Sequence, residues 1–442
     1  MNFEKIALHV PKILLPRPDV DLSKWAVIAC DQYTSQPEYW EATRKCVADN
    51  PSTLNLIFPE IYLGSAQEEQ MVKNIGECMN QYFEEKILVP EKPGFVLVER
   101  QINSDKTRKG LMVALDLEQY SYQEGSQALI RSTEGTILDR LPPRIKIRKN
   151  SIMEVPHIMV LIDDPEKSVI EPLFEKELEQ LCDFELMMKG GHLRSYKINQ
   201  KELIDEIASG LNRLIDREIF DQKYSVSGKE LLLYAMGDGN HSFATAKAIW
   251  EDIKEQADSP SSIANHPARY ALVELVNIHD EGIQFEPIHR VLFNVNFDQM
   301  LQQMEALYQK KGCRVEYKQT EAPITTEQGH SHVIPLVTEQ ENGVLIVHNP
   351  VFGSEVGTLQ FFLDQYLVHN SNVKLDYIHG DTVVQSLGSK KNNVGFYLPA
   401  MRKEDLFKTI IMDGALPQKS FSLGEPEEKR FYLECRMINP ME

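Results

Sequence analysis

The sequence predicts a mixed α/β protein: an α/β core elaborated with extra strands and helices, followed by an α+β C-terminal part. Three observations predict it. Apolar runs of strand length alternate with amphipathic stretches of helical period along most of the chain. The passage 230–253 reads as strand, glycine turn and helix. The composition then shifts after residue 296, turning polar before the apolar pattern resumes. A chain of 442 residues is long enough for more than one core, and we place the domains at 1–295 and 296–442.

In chain order, Pro11, Pro16 and Pro18 punctuate an extended entry. Trp25–Cys30 has the apolar character of a buried strand and ends in the polar run Asp31–Pro37, with a helix following Pro37. Residues 68–86 place Met71, Ile75, Met79 and Phe83 on one helical face. Phe95–Arg100 and Lys109–Leu115 read as a strand pair. His157–Ile162 is a further strand, and Asp163–Asp164–Pro165 ends it as a turn rather than a metal site. A long helix is expected over 171–186, a second over 200–217, and a strand over 269–278. His279–Gly282 then forms a hairpin with 283–290, carrying His289 and Arg290 beside the sheet. In the second domain, helices are expected over 296–311, 358–368 and 403–412. Strands are expected at 344–347, 376–379, 394–398 and 431–435. His330 and His332 have a metal-like spacing but no third ligand nearby, and no metal site is assigned.

The passage that organises the chain is Gly237–Asp238–Gly239–Asn240–His241–Ser242. The run 230–236 before it has strand length, and Phe243, Ala246, Trp250 and Ile253 after it recur at helical spacing. Glycines on both sides of Asp238 permit positive φ and close approach of a ligand. Asp238, Asn240 or Ser242 could cap the helix, whose first N–H groups and positive dipole end form an anion site. His241 would stand at that mouth as a donor or proton carrier. Read alone, the turn favours a tight αβ connection whose polar residues satisfy helix N–H groups.

Between residues 131 and 149 lie Arg131, Arg140, Arg144, Lys146, Arg148 and Lys149, opposed only by Glu134 and Asp139. In so acidic a chain this local excess suggests a held anion, because arginine offers a fixed fork to phosphate or carboxylate. Alternation in 144–148 also fits a solvated edge strand; Arg131, Glu134 and Arg140 lie in a loop-like stretch that this leaves unexplained.

Composition narrows the function classes. Hydrophobic residues make up 42%, charged residues 26%, and the formal net charge is −19. Such a charge opposes nonspecific binding to nucleic acid or an anionic membrane. The six cysteines form no C-x-x-C pair and fit reduced thiols in a cytosol. No run approaches the length needed to cross a bilayer, and the N-terminus lacks a signal-peptide pattern. The expectation is a cytoplasmic protein that meets a small molecule rather than nucleic acid or membrane.

These residues carry a resemblance. The turn 238–242 together with Ala29–Pro37, Arg131–Arg140, Pro287–Arg290 and Leu416–Ser420, in that order, resembles the family of unknown function DUF1015, from about Val10 to Met437. More distantly, the turn and its helix are similar to the D-G-x-H-R signature of the ParB/sulfiredoxin superfamily. That resemblance implies a nucleotide-binding core in which Gly237–Ser242 holds phosphates, as in free-serine kinases. Ser242 stands where the superfamily carries arginine, so Arg131, Arg140 or Arg290 would have to supply the cation. The reductase cysteine would fall at Asn240, which argues against that chemistry. The charge disfavours centromere binding.

The expected function is therefore a nucleotide-dependent enzyme moving phosphate to a small hydroxyl compound such as serine, with ATP or ADP and Mg²⁺ as cofactors. His241 and the turn would bind phosphates, and Asp31 or Glu134 would take the hydroxyl proton. Two other readings remain: a non-catalytic nucleotide sensor, which needs the turn but not the base, and a phosphoester hydrolase.

Overall fold

The computed structural model describes residues 3–123, 125–136, 138, 141–320, 331–417 and 419–440. It is a mixed α/β structure of two compact units, Met1–Gln284 with Leu423–Glu442, and Phe285–Ser422. The division differs from a boundary at 295. Phe285–Phe293 does not turn back onto the preceding strand; it is an inner strand of the second unit's sheet, between Asn393–Phe396 and Lys374–His379. The last residues also return to the first unit, because their side chains complete its core.

The first unit is built on a ten-stranded mixed sheet. From one edge the strands run Glu179–Glu185, His192–Ile198, Phe95–Asn103, Lys106–Asp116, Tyr270–Asn277, Met159–Ile162, Tyr234–Asp238, Ile130–Arg131 and Tyr120–Ser121, with Leu8–His9 also pairing on Lys106–Asp116. Alternation sorts the side chains to two faces. Leu97, Leu111, Val113, Val160 and Val273 pack with Phe243, Trp250, Ile207 and Leu211 from the helices Asn240–Gln256 and Lys201–Leu214. Val96, Val98, Met112 and Leu272 face the other way, onto Trp25, Trp40, Ile75, Met79, Phe431 and Tyr432. The central strands are buried on both faces, which is why they read as continuous apolar runs.

Several expected elements change type. Trp25 ends a short helix, Leu22–Trp25, and 26–30 runs extended with a single bridge from Ile28 to Phe431. Residues 171–186 hold a 3-10 turn, Glu171–Glu175, and then the edge strand Glu179–Glu185, half exposed and pairing only on one side. Its helical-looking charge pattern belongs to a wet edge. The run 144–148 is not an edge strand but part of a helix, Leu141–Lys149, with Pro142 and Pro143 in its first turn, where a missing N–H costs nothing. Asp163–Asp164 does form a turn: the Asp164 carboxylate accepts from Ser168 N at 2.6 Å and Val169 N at 2.9 Å.

The C-terminal return is tied down at every step. Arg100 donates to the carbonyls of Glu427 and Glu428 at 2.5 and 3.0 Å, and Arg108 to that of Glu428 at 2.8 Å. Arg430 and Arg108 both pair with buried Glu274, at 2.5 and 3.2 Å. Trp25 Nε1 donates to Leu433 O at 3.0 Å, and Arg436–Met437 pairs with Met153–Glu154. No isolated strand 431–435 forms, since these residues fill gaps between existing elements.

The second unit carries a sheet ordered Arg314–Gln319, Asn342–His348, Ser331–Thr338, Asn393–Phe396, Phe285–Phe293 and Lys374–His379. The helices Phe297–Gln309 and Glu355–His369 cover one face through Met300, Met304, Leu359 and Phe362. Val384, on the helix Asp381–Gly388, meets Val291 and Val337 from the sheet. His332 Nδ1 lies 2.8 Å from Thr358 Oγ1; its sequence neighbour His330 falls outside the described residues. Among the described residues no helix is long and apolar enough to cross a membrane.

Candidate functional site

The glycine turn joins the strand Tyr234–Asp238 to the helix Asn240–Gln256. Gly239 has φ +79°, and a Cβ there would meet Ile158 Cα at 3.1 Å. Gly237 is ordinary strand backbone, and a Cβ there would press on the end of the Leu423 side chain, with Cδ1 at 2.7 Å. The helix has no side-chain cap. Asp238 does not cap it, because its Oδ1 accepts from Gly239 N at 2.8 Å instead. Ser242 faces His157, and Asn240 Oδ1 is buried with no donor among the described residues. His241 lies in the first helical turn, half-buried, its carbonyl accepting from Thr245 Oγ1 at 2.7 Å.

Around this turn a polar cluster is assembled from distant segments. Lys429 Nζ stands 3.2 Å from Asp238 Oδ2. Burial alone would raise the Asp238 carboxyl, but Lys429 and then His157 outweigh it and hold it below the usual carboxylate range. His157 Nε2 lies 3.2 Å from Ser242 Oγ and 3.9 Å from Asp31 Oδ2. On its other side His157 Nδ1 meets the Tyr432 hydroxyl at 2.8 Å, and that hydroxyl accepts from Cys30 N at 3.1 Å. Asp31 and Ser242 therefore share one imidazole nitrogen, and Tyr432 fixes the ring from behind. This is not a serine–histidine–aspartate relay, in which the carboxylate would hold the opposite nitrogen.

Beside Ser242 and His157 opens a cavity of about 130 Å³ whose lining includes Phe58, Glu60, Arg144, Ile147, Arg148 and Met153. Its arginines come from the helix Leu141–Lys149, which packs against the turn helix. Arg144 pairs with Glu60, and Arg148 Nη2 with Glu154 Oε2 at 2.6 Å. Burial raises the Glu60 carboxyl although Arg144 acts against it.

The predicted site residues fare differently. Gly237, Asp238, Gly239, Asn240, His241 and Ser242 form the turn, and Asp31 joins it through His157. Glu134, half-buried, follows Thr133, whose hydroxyl donates to Met236 O at 2.8 Å just before the turn. Arg131 is brought beside the turn's strand, with Ala235 as its neighbour, but its guanidinium points to the strand's start. It donates to Ala128 O, Glu230 O and Leu231 O at 2.8, 3.1 and 3.1 Å, so its role is structural. Arg290 lies in the second unit, where it donates to Gln360 Oε1, Ile288 O and Lys419 O at 2.9, 2.7 and 3.0 Å. Those partners hold a buried arginine in its own sheet. Arg140 lies outside the described residues. Among the described residues the cation paired with the turn is Lys429, at Asp238, which sequence reasoning missed along with His157, Tyr432 and Glu60. His157 was legible only as the start of an apolar strand, and nothing in spacing couples 429 to 238.

With this geometry in view, a family model described as a protein of unknown function, DUF1015, matches residues 13–375. The chain belongs to the DUF1015 family. No curated protein matches it. Among solved structures, this DUF1015 chain is similar to a free serine kinase in complex with AMP at 11% identity, covering 73% of this chain and 90% of that one, with a TM-score of 0.39. A conserved hypothetical protein from Pyrococcus furiosus gives 11% identity, 73% and 90% coverage, and a TM-score of 0.36. SbnI from Staphylococcus aureus, truncated at its C-terminus, gives 8%, 71% and 82%, and 0.37. These likenesses are too distant to carry any conclusion about chemistry.

Proposed function

We propose that this DUF1015 protein is a nucleotide-dependent phosphotransferase acting on a small hydroxyl compound at the glycine turn. The observation that carries the reading is the pairing of a helix start without a side-chain cap with Lys429 beside it, at 3.2 Å from Asp238. Backbone N–H groups of a helix's first turn and an adjacent ammonium are what a phosphate needs. Lys429 takes the place of the arginine that Ser242 replaces in the ParB/sulfiredoxin-like signature. Asn240 Oδ1, buried without a donor among the described residues, offers an acceptor to a ligand hydroxyl.

The reaction assigns each group a task. The acceptor oxygen attacks the terminal phosphorus of ATP or ADP, forming a new P–O bond. The bond to the leaving phosphate breaks and that phosphate keeps the electron pair. The hydroxyl proton passes to Asp31, which stands 3.9 Å from His157 Nε2, the nitrogen that also meets Ser242 Oγ; Glu134 is the second candidate base. Lys429 and the helix N–H groups stabilise the charge that spreads over the transferred group. Mg²⁺ would arrive on the nucleotide's phosphates, since among the described residues no three His, Cys, Asp or Glu side chains converge as metal ligands.

Calorimetric titration with ATP and ADP, paired with turnover over hydroxyl acceptors including serine, tests this. Asp31→Asn is expected to abolish turnover with nucleotide affinity nearly unchanged, because the base acts on the acceptor in the transition state. Tight nucleotide binding with no turnover on any acceptor would turn the reading to a sensor. Turnover of nucleotide with water alone would turn it to a hydrolase.

A further inference from the structure

We propose that the cavity beside the turn is the acceptor site and takes an amphipathic hydroxy-carboxylate, whose apolar body separates the hydroxyl from the carboxylate. The inference rests on the phosphotransfer reading of the same site and names the substrate class for it. The lining of the cavity of about 130 Å³ includes Ser242, on the turn helix, and His157, whose Nε2 lies 3.9 Å from the Asp31 carboxylate, so a ligand seated in it brings one end toward the turn. Phe58, Ile147, Met153 and Ile158 are among its apolar walls. A compact polar acceptor such as serine would gain nothing from those walls, whereas each further methylene buried strengthens binding about fourfold.

The charged groups select the other end. Arg144 and Arg148 lie one turn apart on the helix Leu141–Lys149, and both line the cavity. The acids facing them are Glu60 and Glu154. Glu154 is also claimed from behind by Arg436, at 2.7 and 2.6 Å, and by Leu272 N at 2.8 Å. Arg144, Arg148 and Arg436 thus meet the Glu60 and Glu154 carboxylates, and Asp31 acts on Glu60 from nearby. The cavity presents two guanidiniums at the helix and apolar side chains through its body. A carboxylate on a hydrocarbon or aromatic spacer matches both features, because arginine pairs with a carboxylate through two parallel hydrogen bonds.

In the transfer step, the hydroxyl oxygen of this acceptor forms the new bond to phosphorus, its proton passes to Asp31, and the shortened nucleotide departs. The product is the phosphate ester of a hydroxy acid, its carboxylate still held at Arg144 and Arg148.

The test is calorimetry on the full chain with para-hydroxyphenylacetate, hydroxyhexanoate, hexanol and serine, each with and without ATP. The expected result is that both hydroxy acids bind at least about tenfold more tightly than hexanol or serine. Arg144→Gln should remove most of the advantage over hexanol without weakening hexanol itself. Equal binding of hexanol and hydroxyhexanoate would overturn the carboxylate anchor. Tight serine binding with no hydroxy-acid binding would overturn the inference while the phosphotransfer reading stands. Hydroxy-acid binding with no ATP or ADP binding would leave the cavity assignment and remove the phosphotransfer reading. Because the wild-type ligand series is decisive alone, a variant that fails to fold does not block the test.

Discussion

Lys429 Nζ lies 3.2 Å from Asp238 Oδ2, joining the last segment of the chain to the glycine turn in its middle. Arg100 and Arg108, through the carbonyls of Glu427 and Glu428, set the backbone that presents Lys429 there. The contact makes the C-terminal return part of the site. Lys429→Met should weaken ATP binding by about 1–3 kcal/mol, the range for losing a hydrogen bond to a charged group. Calorimetry on the variant checks it, with circular dichroism confirming that the fold is kept. His241→Ala should weaken binding over the same range if its imidazole reaches the phosphates.

His157 connects Asp31, Ser242 and Tyr432, so its replacement separates positioning from binding. His157→Ala should depress turnover far more than nucleotide affinity. Tyr432→Phe, which removes only the hydroxyl behind the ring, should produce a smaller loss of the same kind. Steady-state kinetics beside calorimetry on both variants provide the comparison, and equal loss of affinity and turnover would contradict the arrangement.

Much of the architecture was legible because its signal is local. The helices at 68–84, 201–214, 240–256 and 297–309 follow apolar spacing, and the strands at 95–103, 106–116 and 270–277 follow continuous apolar runs. The misread segments are those whose state is set from elsewhere. Residues 179–185 carry charges at intervals that suit a helix, yet backbone pairing with 192–198 makes them an edge strand. Residues 26–30 look like a strand but have one bridge, because their neighbour is the returning chain rather than a ladder. In the site, the turn and Asp31 could be read directly. Lys429, His157 and Glu60 could not, since each reaches the turn only through tertiary packing.

Buried charge gives a prediction on stability. Glu274, almost fully buried, accepts from Arg108 and Arg430, and although burial opposes its charge the two guanidiniums hold its carboxyl down at about 2. Glu274→Gln leaves buried Arg108 without its counterion, Arg430 keeping Glu434, and should cost about 3–5 kcal/mol. Urea unfolding at neutral pH measures it. The depressed carboxyl also fixes a sign: its contribution is fully present above the ordinary glutamate range and is lost as pH falls toward about 2.

Asp280 shows the opposite sign. Burial pushes its carboxyl up to about 6, although Gly282 N donates to it at 2.8 Å. The folded state then holds the proton more tightly than the unfolded state. Its favourable contribution is present below the ordinary aspartate range and is lost as pH rises through about 6. Asp280→Asn keeps an acceptor for Gly282 and removes the buried charge. It should raise stability by about 1–3 kcal/mol at pH 8, with the gain vanishing near pH 4. Thermal unfolding of both proteins across that range reads the difference.

Phosphotransfer at this site requires the glycine turn to bind nucleotide phosphates together with Lys429. A crystal structure of the wild-type chain soaked with ATP and Mg²⁺ tests it most directly. Phosphate density is expected against the backbone N–H groups of residues 240–242, within hydrogen-bonding reach of Lys429 Nζ. Nucleotide bound elsewhere, or a turn left empty at saturating ATP, would contradict it and leave Gly237–Ser242 as a structural connection.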